Sequence, residues 1–417
     1  MHTDTVVIGA GQAGLATSNL LVAAGRDHVV LERGRVAERW RSERWDSFRL
    51  LTPNWMTRLP DHRYDGDDPD GFMSAGELVE RFDRYATGFG APVVTGADVV
   101  DVRRSADGKG FVVATEAGTW RARNVVAANG WCARPALPRA ASRLAPSIDR
   151  LHSSAYRSPR SLPDGGVLVV GASASGVQIA DELRRDGREV VLATGTHTRM
   201  PRRYRGRDIL WWLDRLGILD DRATDVPVRA RRQPSMQLVG RTPSGDRRRD
   251  CDLDLDLASL AASGVQVTGR LLALDGTRAR FAADLPVTTA DADRRLRRLL
   301  DRIDRHVSSS GSHGPSRMPR PAAPANGPAA LDLRAAGIRS VVWATGHRPH
   351  FPWLHVPVLD AGGAVEHRGG VTAVPGLYVV GMRWQTRRSS TFIDGVRHDA
   401  HAVVDHLLHQ RRDAAAA

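Results

Sequence analysis

The chain has 417 residues, of which 41% are apolar and 26% charged, with 40 glycines; this suits a globular, loop-rich protein of two domains, or of one domain interrupted by another. The formal charge of +13 is almost all arginine, with Lys109 the only lysine, scattered through every segment as in GC-rich coding, which argues against nucleic acid and for attraction of phosphate-bearing cofactors. No run of about 18 apolar residues exists to span a membrane, the first strand starts almost at Met1, and Cys132 and Cys251 are too few for a disulfide framework, a CxxC pair or a four-cysteine zinc site; a cytoplasmic protein that borrows a cofactor for redox chemistry is expected.

Thr5 to Ile8 is β-branched and leads through Gly9-Ala10-Gly11-Gln12-Ala13-Gly14 into an apolar helical stretch, a Gly25 stop and a strand over His28 to Leu31. This is a βαβ unit. Residues 40–64 are aromatic and Arg-rich without periodicity, and are expected to form an ordered loop region. Ser74 starts a helix through Tyr85 and forms a capping box with Glu77. Residues 93–126 alternate as a small antiparallel sheet does.

A second βαβ unit opens at Gly166 to Gly171, continues in a helix over Ser175 to Arg185 and ends in a strand over Glu189 to Ala193. The expected fold class is therefore α/β, with two Rossmann-like dinucleotide-binding domains and the second inserted into the first. The boundaries read as 1–160, 161–333 and 334–417. A basic amphipathic helix over 287–307 is followed by a Ser/Gly/Pro stretch, 308–330, that cannot build a core and reads as a lid or a linker. Strands over Ser340 to Trp343 and Leu377 to Val380, and a helix over Asp394 to His409, close the chain.

Gly9, Gly11 and Gly14 follow a strand and open a helix. The first permits a tight turn, the second lets backbone approach a pyrophosphate, and the third lets helix and strand pack closely. Glu32, at the end of the next strand, can accept from ribose hydroxyls, so this site suits FAD or NAD. The second site reads Gly171-Ala172-Ser173-Ala174-Ser175-Gly176, with serine in the middle. A GxSxG nucleophile elbow is excluded because residue 175 is Ser where Gly is required. Glu32 lies 23 positions after Gly9, and the matching position after Gly171 is Thr194, so the carboxylate that would repel a 2′-phosphate is absent. Arg199, Arg202 and Arg203 follow, and a phosphorylated nicotinamide dinucleotide fits better than NADH.

The order of motifs resembles the class B flavoprotein monooxygenases, the group of flavin-containing monooxygenases, plant YUCCA-type enzymes and Baeyer–Villiger enzymes. The likeness covers nearly the whole chain: GAGQAG at 9–14, GASASG at 171–176, RLHSSAYRSP around His152 and Tyr156, ATGHRP at 344–349 and GLYVVGM at 376–382. His152 and Tyr156 match the end of that family's linking fingerprint, whereas Pro146 and Ile148 stand at its Phe and Gly positions. The resemblance implies FAD held by Gly9, Gly11, Gly14, Glu32 and Arg33, with Trp40 near the flavin, Val99 meeting the adenine through its backbone, and Gly130 and Gly381 at the ends of later strands. It implies NADPH held by His152, Gly171, Ser173, Ala174, Ser175, Gly176, Thr194, Arg199 and Gly346. Ala344-Thr345-Gly346 resembles the segment that returns the chain to the FAD domain; its earlier counterpart, Ala128-Asn129-Gly130, departs at the middle residue. Asn54 looks like the asparagine that several of these enzymes place beside the reactive flavin carbon, the structural alternative being a turn former after Pro53.

The chemistry implied is a monooxygenation. NADPH reduces FAD, dioxygen adds to give a flavin peroxide adduct, and one oxygen atom passes to a small organic substrate in an N-, S- or Baeyer–Villiger oxygenation. Two alternatives stay open: an FAD-linked NAD(P)H reductase with a non-disulfide acceptor, and a protein that senses dinucleotides without turnover. Asp252, Asp254 and Asp256 lack the Gly and Glu of a calcium loop and read as the exposed face of a strand, and no histidine has ligand company at metal spacing, so no metal is expected. Trp211-Trp212 reads as the packed aromatic face of a helix, with a substrate path as the alternative. The sequence leaves oligomeric state open, a homodimer included.

Overall fold

The computed structural model describes residues 1–228, 231, 235–237, 255–310 and 327–416. The first sheet is built from β1 (His2–Ile8), β2 (His28–Glu32), β3 (Val93–Thr95), β4 (Val99–Arg104), β5 (Phe111–Thr115) and β6 (Gly118–Ala127), in the order β3-β2-β1-β6-β5-β4, with Leu377–Val379 paired to β6. β3, β2, β1 and β6 run parallel, and β4, β5 and β6 form an antiparallel meander. The alternation over 93–126 thus splits: β3 extends the parallel sheet, and only β4 to β6 form the expected antiparallel one. β6 does both because its ten residues outrun β5 and continue beside β1.

Helix α1 (Gln12–Ala23) packs on this sheet, followed by the short α2 (Glu38–Ser42) within the aromatic region and α3 (Ala75–Gly88). The capping box of α3 forms as expected, the Glu77 N–H donating to Ser74 Oγ at 3.2 Å and the Ser74 N–H to Glu77 Oε2 at 2.7 Å. Its Leu78, Val79, Phe82 and Tyr85 face the core formed by α1, β1 and the closing helix.

The second sheet is all parallel, with strands Gln266–Thr268, Val190–Ala193, Gly166–Val170, Ile338–Trp343 and Asp149–His152 in that spatial order. Two of these strands shift the expected division: 149–152 falls before the boundary at 160 and 338–343 after the one at 333, yet both pair here. The physical reason is that a parallel strand buried on both faces, as Ser340 to Trp343 is, needs neighbours on both edges. α4 (Ala174–Arg185), α5 (Ile209–Arg215) and α6 (Leu257–Ala262) follow in this half, then α7 (Leu285–Ser310) and finally α8 (Ile393–Ala416), which returns to pack on α1.

α7 starts slightly before the expected helix and turns Leu296, Leu300, Ile303 and Val307 onto Trp212, Tyr204 and Met56. Trp212 is packed inside α5 with its indole N–H donating to the Tyr204 carbonyl at 2.7 Å, as the packed-face reading of Trp211-Trp212 requires. Asp256 corrects another expectation: it is buried, caps α6 by accepting from Ser259 N, and pairs with Arg199, because a helix start leaves N–H groups that a carboxylate satisfies. Asp252, Asp254, Cys251 and the greater part of 308–330 lie outside the described residues. Among the described residues no helix is long and apolar enough to cross a membrane.

Candidate active site

The two glycine turns are built alike. Gly9 has φ +103° and Gly171 φ +107°, a conformation that costs glycine nothing and other residues a great deal. A Cβ on Gly14 would lie 1.8 Å from the Gly9 carbonyl oxygen, and one on Gly176 1.7 Å from that of Gly171, so turn and helix pack with no space for a side chain. A Cβ on Gly11, in contrast, would meet nothing within 4 Å. Neither Gly11 nor Ser173, the N-cap residues of α1 and α4, caps its helix with a side chain, which leaves the first-turn N–H groups, those around Ala174 and Ser175 included, for an anion. Both cradles thus fit the pyrophosphate of a dinucleotide.

Each turn also leans on a later crossover. A Cβ on Gly9 would sit 3.0 Å from the Ala128 carbonyl oxygen and one on Gly171 2.5 Å from that of Ala344, so Ala128-Asn129-Gly130 and Ala344-Thr345-Gly346 hold equivalent places. They then reach across to each other: Asn129 Nδ2 donates to the His350 carbonyl at 3.2 Å, and Thr345 Oγ1 to the Ala136 carbonyl at 2.7 Å. Between them Arg134–Pro135 and His347–Arg348 pair as a two-stranded antiparallel joint.

His152 clamps this joint. Its Nε2 lies 3.0 Å from the Gly346 carbonyl, which only accepts, so Nε2 carries the proton and Nδ1 accepts from the N–H and hydroxyl of Ser154. Burial lowers its pKa, the carbonyl contact opposing. The His347 ring packs edge-on against it at 4.7 Å; burial first, then His152, Arg44 and Arg39, push His347 down to about 4, so both rings are neutral near pH 7. Tyr156, the other matched fingerprint residue, is fully buried and donates to Glu182 Oε2 at 2.9 Å, while Ser47 Oγ donates to Oε1 at 2.8 Å. Trp45 lies in the same core as Tyr156. Residues 45–48 are therefore fastened to the second half.

The aromatic loop borders the first cradle. Trp40 Nε1 donates to Gln12 Oε1 at 3.2 Å, at the first residue of α1, and the Arg44 guanidinium lies 4.7 Å from the Trp40 ring and 5.5 Å from that of Phe48. Gly381 is on the same side, its Cβ position 3.1 Å from Ala13 Cβ. Glu32 is 8% exposed and braces the turn, Oε2 accepting from Ala10 N at 2.7 Å and Oε1 from Gly34 N at 3.0 Å; each oxygen keeps a lone pair for a ribose hydroxyl. Arg33 is half exposed and pairs with Glu43 at 3.5 Å. Val99 begins β4, two residues beyond Ala97, whose N–H donates to the Glu32 carbonyl at 2.9 Å.

Three expected site residues are placed otherwise. Asn54 is buried, its Nδ2 donating to the Asp68 carbonyl at 2.8 Å and its Oδ1 accepting from Met73 N at 2.9 Å, so that it clamps residues 68–73. Arg199 is 3% exposed and bound by Asp256 at 2.7 Å and Asp293 at 2.9 Å, because a buried guanidinium needs carboxylates nearby. Thr194 is fully buried, its N–H donating to the Thr268 carbonyl at 2.9 Å. The last two cannot reach a nucleotide as they stand. Sequence reasoning missed Gln12 and Arg44, for which the only signal was nearness to the glycine turn and the aromatic run.

The pyridine nucleotide-disulphide oxidoreductase family matches residues 6–210, from β1 into α5. A CzcO-like oxidoreductase of Geobacillus kaustophilus, itself uncharacterised, is 30% identical over 414 residues, covering 97% of this chain and 98% of its own length. This chain belongs to the CzcO-like oxidoreductases. The rice (Oryza sativa subsp. japonica) protein named indole-3-pyruvate monooxygenase YUCCA4 is 28% identical over 218 residues, 48% of this chain and 49% of its own length. A flavin-containing monooxygenase from Stenotrophomonas maltophilia superposes with a TM-score of 0.68 at 19% identity, over 98% of this chain and 99% of that one. The CzcO-like chain thus shares the two-dinucleotide-domain fold of the flavin monooxygenases.

Proposed function

We propose that this CzcO-like oxidoreductase binds FAD on the first cradle and NADPH on the second, and places one atom of dioxygen on the sulfur, nitrogen or carbonyl of a small organic substrate, the other atom leaving as water. The observation that carries this reading is the pair of matched pyrophosphate cradles, each leaning on a crossover that reaches to the other, with neutral His152 and His347 between them. The names of the YUCCA and Stenotrophomonas relatives support oxygenation over other electron acceptors. The chain carries no CxxC pair of the kind that would serve disulfide reduction, which the family name mentions; its two cysteines, Cys132 and Cys251, are 119 positions apart in sequence.

FAD, when bound, supplies the electron transfer to dioxygen that no side chain can, with NADPH as the hydride source. The protein binds, orients and keeps dry. In this reading Gly9, Gly11, Gly14, Glu32 and Arg33 take the FAD phosphates and ribose, Val99 and Gly130 border its path, and Trp40 and Gly381 stand toward the flavin. Gly171, Ser173, Ala174, Ser175 and Gly176 take the second pyrophosphate, and His152, through the Gly346 carbonyl, holds the joint beside it. The stacked Trp40, Arg44 and Phe48 exclude water from the first cradle's mouth. The corresponding domain division is 1–148 with 344–417 for FAD and 149–343 for NADPH.

Stopped-flow absorbance tests the proposal. A yellow protein, reduced much faster by NADPH than by NADH, should show on mixing with oxygen a transient spectrum, distinct from oxidised and reduced flavin, that persists for seconds. Immediate return to the oxidised spectrum would move the reading to an FAD-linked reductase, and protein that neither carries nor takes up flavin would overturn it.

A further inference from the structure

We infer that Arg270 is the residue that recognises the 2′-phosphate of NADPH, an inference that rests on the proposed NADPH site and names its specificity determinant. In a parallel dinucleotide fold the ligand lies across the carboxyl ends of the strands, and the group after the second strand reads the adenosine ribose. Here that strand ends at Ala193, and the next two residues, Thr194 and Gly195, carry no charge. Of the arginines that follow closely in sequence, Arg199 and Arg202 are committed elsewhere, while Arg203 lies beyond them in the antiparallel pair of Arg203–Tyr204 with Arg207–Asp208. Arg199 is held by Asp256 and Asp293, while Arg202 is 3% exposed, donates to the Leu51 carbonyl at 3.0 Å, pairs with Asp208 and stacks 4.6 Å over Phe72.

Arg270 arrives from the neighbouring strand. Gln266–Thr268 runs parallel to Val190–Ala193 with Thr268 level with Ala193, so both strands end on the side of the GASASG turn. A Cβ on Gly269 would lie 2.0 Å from the Ala282 carbonyl oxygen; the chain is pinned there and delivers the next residue at a set place. The Arg270 Cγ is 4.0 Å from the Cβ position of Gly195, and the missing side chain at Gly195 leaves the guanidinium a way over the strand end. That side chain is 64% exposed, with one carboxylate among the described residues, Asp284, at 3.6 Å. An exposed pair of that length contributes little, and a dianionic phosphate forming charge-assisted bonds to the fork would displace it. Arg295, exposed on α7 with one nitrogen 3.5 Å from the His197 carbonyl, adds positive charge beside the segment that follows Gly195.

The test is calorimetric binding of NADP+, NAD+, 2′,5′-ADP and 5′-AMP to the full-length protein, for the wild type and for Arg270→Gln, with thermal melts to verify folding of this surface variant. Arg270→Gln should weaken NADP+ and 2′,5′-ADP roughly 10–100-fold and leave NAD+ and 5′-AMP within about 3-fold. Arg295→Gln should give a smaller loss in the same direction. If the wild type prefers NADP+ and Arg270→Gln keeps that preference, the assignment of Arg270 is overturned while the NADPH reading stands. If the wild type binds both dinucleotides equally, or neither, the assignment and the NADPH reading fall together.

Discussion

In the first half of the molecule the strand after the glycine helix ends on Glu32, whose carboxylate braces the turn through Ala10 and Gly34. In the second half the same place holds Thr194, a fully buried hydroxyl without a hydrogen-bond partner among the described residues, and no carboxylate stands at that position. The turns themselves are near copies, at φ +103° against +107° and with Cβ clearances of 1.8 Å against 1.7 Å. Close packing of turn on helix is a requirement of the fold and is met identically, whereas the strand end faces the ligand and is free to differ.

The largest expected effects test the shared part. Gly14→Ala or Gly176→Ala drives a Cβ into backbone, which cannot swing away, and should cost about 3–5 kcal/mol or prevent folding. Gly11→Ala places its Cβ in open space and should leave the flavin-free melting temperature nearly unchanged while flavin content falls. Equal damage from both substitutions in melts with and without FAD would break the distinction between packing glycine and cradle glycine.

Glu32→Gln comes next. An amide can accept from one of the two N–H groups but turns its own donors toward the other, so a loss of about 1–3 kcal/mol is expected together with faster loss of flavin on dialysis. A variant that retains flavin as the wild type does would show the carboxylate to be dispensable in this half.

The joint offers a pH test. The folded pKa of His347, depressed to about 4, lies below the unfolded value near 6.5. The neutral ring's contribution is therefore complete above about pH 6.5 and lost as pH falls toward 4. His347→Phe removes the titration, so between about pH 6.5 and 4.5 its melting temperature should fall less steeply than the wild type's; parallel slopes would show that His347 is not the titrating group. The smallest effect is expected at Thr194→Val, which deletes a buried hydroxyl without a partner among the described residues and should stabilise by up to about 1 kcal/mol in a denaturant titration. Destabilisation there would mean that the hydroxyl has a partner, and that the two strand ends are more alike than they look.

How much of this was legible in the sequence depends on the range of the interaction. The GAGQAG and GASASG turns, the α3 capping box and the βαβ units rest on neighbours within a few residues, and spacing alone identified them. The surroundings of Asn54 and Arg199 are not legible in the sequence because their partners are distant: Met73 and Asp68 for one, Asp256 and Asp293 for the other. No local pattern distinguishes an asparagine clamping a loop from one facing a cofactor, or a buried arginine from an exposed one.

The strands at 149–152 and 338–343 show the same limit at the scale of domains, since sheet membership is decided by which edges a buried strand can pair with. Sequence by itself determined that the chain carries two phosphate-cradling turns and that the second lacks the acidic ribose partner, because those properties reside in residue type and short spacing. Tertiary structure alone decided which arginine stands beside the second strand end, for it is folding that buries Arg199 against Asp256 and Asp293 and Arg202 against Asp208, and brings Arg270, about 75 residues downstream of Gly195, beside the turn.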